Sequence, residues 1–77
     1  MLIPDPLSVG AYIRKARLAQ NLSQLTLSDL ALVSTHFLSD LERGKPTVEL
    51  GKVFQVVATL GLEIHFVPRG VRANDRD

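Results

Sequence analysis

Cysteine is absent from the 77 residues. That excludes disulfides and thiolate metal sites and makes a reducing cytoplasm the expected location. No apolar run approaches the roughly 20 residues that a membrane helix needs. The opening MLIPDP has no basic stretch of the kind that begins a signal peptide. Catalytic fingerprints are missing as well: no GxSxG, HExxH, P-loop or dinucleotide motif occurs. The five glycines are dispersed, so no phosphate-cradling loop exists. His36 and His65 stand far apart without ligand spacing. Ser34, His36 and Asp40 could be strung into a triad by eye, but they belong to one short helix with no pocket. No catalysis, cofactor or metal is expected. An excess of positive charge is also lacking, since nine basic residues face eight acidic ones for a net charge of +1. Nucleic-acid binders are usually more basic, so any such role must rest on where the charges lie. Arg14, Lys15 and Arg17 cluster, as do Arg43, Lys45 and Lys52, whereas Asp29, Asp40, Glu42, Glu49 and Glu63 are scattered.

What is present is an ordinary globular composition, with 45% apolar and 22% charged residues. The length fits one domain near the lower limit for an independent core, where oligomerisation is a common remedy. Its centre is Leu22 to Gly44, LSQLTLSDLALVSTHFLSDLERG, which reads as two short helices joined by a tight turn. Ser23 caps the first of these, from Gln24 to about Ala31. Ser34 caps the second, from Thr35 to about Arg43, with Gly44 as its stop. Before them, Asp5 as N-cap and Pro6 as first helical residue predict a helix from Pro6 to about Gln20. Leu7, Ile13 and Ala16 face inward there, Gly10 allows close approach, and Asn21 ends the helix. Leu27, Leu30, Ala31 and Val33 are expected to line the inside of the central pair. After it, Thr47 is the expected cap of a fourth helix from Val48 to Leu60, with Leu50, Val53, Phe54, Val57 and Leu60 as its core face.

From Leu62 to Val67 the period changes to two. Leu62, Ile64 and Phe66 alternate with Glu63, His65 and Val67, predicting a strand that ends at Pro68. A lone strand cannot satisfy its backbone groups, so an identical chain is the simplest donor of a second one, across a two-fold axis. The expected organisation is an arm over residues 1–5, one folded unit over 6–68 and a tail over 69–77.

At about 100° per residue, Thr35, His36, Ser39 and Arg43 share one face of the third helix, while Phe37, Leu38 and Leu41 share the other. A helix held from behind, with short polar residues near its start, suits the DNA major groove. Thr35 can bond a base or touch a thymine methyl, His36 can donate to guanine or phosphate, and Ser39 can reach either. The competing reading of each is a solvated surface group. Ser34 at the start of this helix, and Arg43, Lys45 and Lys52 beyond it, are phosphate candidates; Arg14 and Lys15 are weaker ones. Asp40 is expected to be solvated, and Phe37 to pack in the core rather than act as a wedge.

Gln24, Leu27, Ala31, Val33, Ser34, Leu38, Ser39, Glu42 and Gly44 follow the spacing of the phage-repressor-like (XRE-type) helix-turn-helix proteins. The flanking DPLSVGAYIRKARLAQN resembles that family's first helix. GKPTVELGKVFQVVATLGLEIHFVPRG resembles its HipB-type variant, in which four helices precede a strand that pairs within a dimer. The resemblance implies an all-α fold of four helices plus one C-terminal β-strand pairing across a homodimer. It also implies a DNA-binding repressor of its own promoter, reading a palindromic operator with the third helix. In HipB-type systems it further implies an antitoxin bound to a HipA-type kinase toxin. By the same likeness Gln24 bonds a phosphate or braces a base-reading side chain, and Arg17 pairs with Glu42. The competing reading is a protein-interaction module that neutralises such a partner, with DNA binding secondary or lost. Leu32 departs from the family, which usually has glycine in this turn. Either leucine adopts a positive φ at a cost of about 1 kcal/mol or more, or the turn has another geometry.

Overall fold

A computed structural model describes residues 5–68; residues 1–4 of the expected arm over 1–5, and the expected tail over 69–77, lie outside them. Four helices follow in order: α1 (Pro6–Ala19), α2 (Gln24–Ala31), α3 (Thr35–Glu42) and α4 (Leu50–Thr59). Three starts are fixed by local chemistry. Asp5 accepts a hydrogen bond from the Ser8 amide at 2.8 Å, Ser23 Oγ from Thr26 at 3.0 Å and Ser34 Oγ from Phe37 at 2.9 Å. Each satisfies a helical N–H that would otherwise lack a partner. The bond to Ser8 also holds the Asp5 carboxyl below its ordinary pKa.

All four helices close in the same way. The amides of Leu22, Val33, Lys45 and Leu62 reach back five residues, to the carbonyls of Arg17, Ser28, Asp40 and Val57. The residue before each has a positive φ: Asn21 (59°), Leu32 (61°), Gly44 (86°) and Gly61 (74°). This is a Schellman closure, and it turns the chain sharply enough for the next helix to pack back. Leu32 is therefore left-handed in the turn between α2 and α3, and the turn keeps the geometry that glycine would favour.

Behind these turns lies one core of Ile13, Leu27, Ala31, Leu38, Leu41, Val53, Val56, Val57 and Leu60. Gly10 lets α1 cross the end of α3, because a Cβ there would overlap the carbonyl oxygens of Leu41 and Glu42. Side-chain amides add tethers to α4: Gln20 donates to the Leu60 carbonyl and Gln55 to that of Ala31, both at 2.8 Å.

Several expectations need correction. α4 starts at Leu50, with Glu49 at its cap position and no side-chain cap bond. Thr47 does not cap it, and Val48 instead packs its side chain against the core from an extended connection. Leu7, Leu30, Leu50 and Phe54 are exposed rather than inward. So small a bundle buries only a narrow stripe of each helix: in α4 the stripe runs through Val53, Val56 and Val57, and Phe54 lies about 100° away from Val53. Residues 62–68 form neither helix nor strand in the single chain. Strand hydrogen bonds need a neighbour, and the described residues offer none.

Candidate nucleic-acid interface

α3 is held by its apolar side and displays its polar one. Leu38 and Leu41 are buried and Phe37 is half-buried against the core. Ser34, Thr35 and His36 are exposed at the start of the helix, with Ser39 half-exposed one turn further on. The His36 side chain is 84% exposed. These groups carry hydroxyl and imidazole donors and acceptors on an exposed ridge, an arrangement suited to contacting a surface.

The geometry of the ridge is set by a buried polar network. Arg17 donates from Nε to Glu42 Oε2 at 2.7 Å and from Nη2 to Oε1 at 3.0 Å, while its Nη1 reaches the Leu22 carbonyl at 2.7 Å. Gln24 Nε2 donates to the same Glu42 Oε1 at 3.1 Å. One carboxylate thus ties α1 and the first turn of α2 to the last turn of α3. The bond from Glu42 raises the Arg17 pKa further above its already high ordinary value, so the guanidinium is charged at every accessible pH. A buried pair of this kind fixes register more than it adds stability, but breaking it strands a charge. Gln24 spends its amide nitrogen here, as a brace.

The remaining cations surround the end of α3. Arg43 and Lys45 are exposed, and both bond Asp40. Asp40 is not solvated as expected: its side chain is 12% exposed, covered by Arg43, Lys45 and His36. The spacing i−4 to His36 and i+3 to Arg43 was the available signal, since those positions adjoin on a helix. Lys52 lies 3.9 Å from Glu49 and sits over the Phe37 ring, 5.8 Å from its centre. Arg14 and Lys15 are exposed on α1. Across the molecule, an open apolar cleft of about 960 Å³ runs between α1, α4 and residues 61–67, lined by Val9, Tyr12, Val53 and Val57 among others. Among the described residues no three His, Asp or Glu side chains cluster as a metal would require, and no helix is long and apolar enough to cross a membrane.

This fold and ridge define a DNA-binding helix-turn-helix regulator. The family model described as helix-turn-helix matches residues 13–67, and the chain belongs to that family, in its XRE-type branch. It is 46% identical over 70 residues to an uncharacterized HTH-type transcriptional regulator, y4mF, of Sinorhizobium fredii, covering 91% of this chain and 92% of the relative. Among solved structures, the restriction-modification controller protein C.AhdI of Aeromonas hydrophila is 30% identical, with a TM-score of 0.70 over 77% of this chain and 86% of that one. A chain of a HipA-HipB-O2-O3 complex superposes at a TM-score of 0.82 over 90% of this chain and 97% of that one. At 16% identity that likeness is one of fold.

Proposed function

We propose that the protein is a sequence-specific transcriptional repressor that binds an operator as a homodimer, with α3 lying in the major groove. The observation that carries this reading is the outward display of Thr35 and His36 on a helix pinned from behind by Leu38 and Leu41. Thr35, His36 and Ser39 make the base contacts. Ser34, Arg43, Lys45 and Lys52 face phosphates, Gln24 braces Glu42 behind them, and the first amides of α2 and α3 add donors there. Two-fold symmetry places the paired α3 helices about 34–36 Å apart, over a palindromic site. The dimer forms through Leu62–Val67. Ile64, Phe66 and Val67 expose apolar side chains beside the cleft, and a second copy of the same segment supplies both the missing backbone partners and the cover.

A toxin-neutralising role is the second reading. Leu25, Leu30 and Leu32 are exposed apolar residues that the proposed DNA contacts leave unused. A HipA-type kinase is the proposed partner for them. A gel shift with the protein's own promoter, across a range of salt, tests the first reading. A retarded complex that weakens steeply as salt rises is expected; no complex at low salt would overturn it. Binding to the product of an adjacent kinase-like reading frame tests the second.

A further inference from the structure

The polar end of α3 carries its own anion. Two cationic side chains and an imidazole converge on Asp40: Arg43 Nη2 lies 2.5 Å from Oδ1, while His36 Nε2 at 3.3 Å and Lys45 Nζ at 3.4 Å approach Oδ2. Arg43 also donates through Nη1 to Ser39 Oγ. All three groups belong to the set proposed above as DNA contacts, and a single carboxylate engages them in the free protein. A DNA phosphate attracts the same groups, so the two anions compete. The competitor on α3 is intramolecular, with the Asp40 side chain 12% exposed between Arg43 at 65% and Lys45 at 50%, so it stays in place at every protein concentration.

We infer that Asp40 stands in for a DNA phosphate in the free protein and restrains sequence-independent binding. The inference rests on the DNA-binding reading. To reach the DNA backbone, Arg43 and Lys45 must exchange Asp40 for phosphate, which lowers the net gain from each contact. An uncompensated Asp40 would then stand close to phosphates of its own sign. Non-specific binding is almost wholly electrostatic, so it bears this loss in full. Specific binding retains the base contacts of Thr35, His36 and Ser39. The ratio between the two rises, and that ratio decides how a regulator finds its site. Ser39 gains a defined role in the same arrangement. With its oxygen accepting from Arg43, its O–H remains to donate, so it pairs with a base acceptor.

The test compares the full-length protein with Asp40→Asn on operator and on unrelated duplex, over about 50–200 mM salt, the range in which phosphate contacts are most visible. The variant is expected to bind unrelated duplex at least about threefold more tightly per protomer at low salt, with a salt slope steeper by about 0.9 per protomer. Its operator-to-unrelated ratio should fall. Arg43→Gln alone supplies a readout independent of how well Asp40→Asn folds: its slope should change by clearly less than about 0.9 per protomer, because Arg43 exchanges one anion for another. Equal affinity and slope in Asp40→Asn, with the wild type binding DNA, would overturn the inference and leave the DNA reading intact. So would a loss confined to the operator, which would make Asp40 a base reader. Failure of the wild type to bind any duplex at low salt would overturn the DNA reading itself, and the inference with it.

Discussion

Leu32 shows at the scale of one residue how fold and function diverge. Its φ of 61° and ψ of 41° place a Cβ-bearing residue where the left-handed conformation costs roughly 1–2 kcal/mol. The side chain is 82% exposed and recovers little of this by packing. Leu32→Gly should therefore raise stability by about 1 kcal/mol, less the entropy that glycine adds to the unfolded chain. Chemical denaturation would show it as a higher midpoint at unchanged slope. A fall in stability would mean that Leu32 packs on something that compensates for the strain. The N-caps were legible at this scale because a cap is local: Asp5, Ser23 and Ser34 each bond an amide three residues on. The enclosure of Asp40 was legible only in part: His36 and Arg43 stand at helix-neighbour spacing, but Lys45 reaches it from beyond the helix.

At the scale of elements, the four helices could be placed from turn residues and periodicity, and the start of α4 could not. Glu49 makes no side-chain cap bond, so that start carries no local signature, and the packing of Val48 decides it. Periodicity also gave the direction of each apolar face but not its width, which depends on how many neighbours cover it. Leu50 and Phe54 are apolar residues that the bundle leaves at its flank. α1 crosses the end of α3 closely at Gly10, and this crossing orients α3. Gly10→Ala should cost about 1–3 kcal/mol through backbone overlap, outweighing the roughly 1 kcal/mol that alanine returns as a helix former. Thermal unfolding would show a lowered Tm, and a raised one would mean that the crossing has slack.

At the scale of the whole molecule, the buried stripe is small and several large apolar side chains are exposed, which the proposed dimer would cover in part. Phe66 is 83% exposed, and Ile64 and Val67 are each 46% exposed. Introducing charge through Ile64→Glu and Phe66→Glu should turn the proposed dimer into a monomer in sedimentation and weaken operator binding far more than helicity. A wild type that sediments as a monomer at all accessible concentrations would remove the proposed pairing. The period-two pattern of this segment was plain in the sequence. The identical chain expected to pair with it is tested only by the oligomeric state, since the described residues of one chain hold no strand beside it.

DNA reading itself rests on Thr35 and His36 as base contacts, and base preference measures that most directly. Wild-type protein and the double variant Thr35→Ala, His36→Ala would each be used to select from a library of randomised duplexes. The wild type should recover a palindromic consensus. The double variant should recover a degraded one at the positions facing the start of α3, while it still dimerises and still binds unrelated duplex. An unchanged consensus from the double variant would contradict the account.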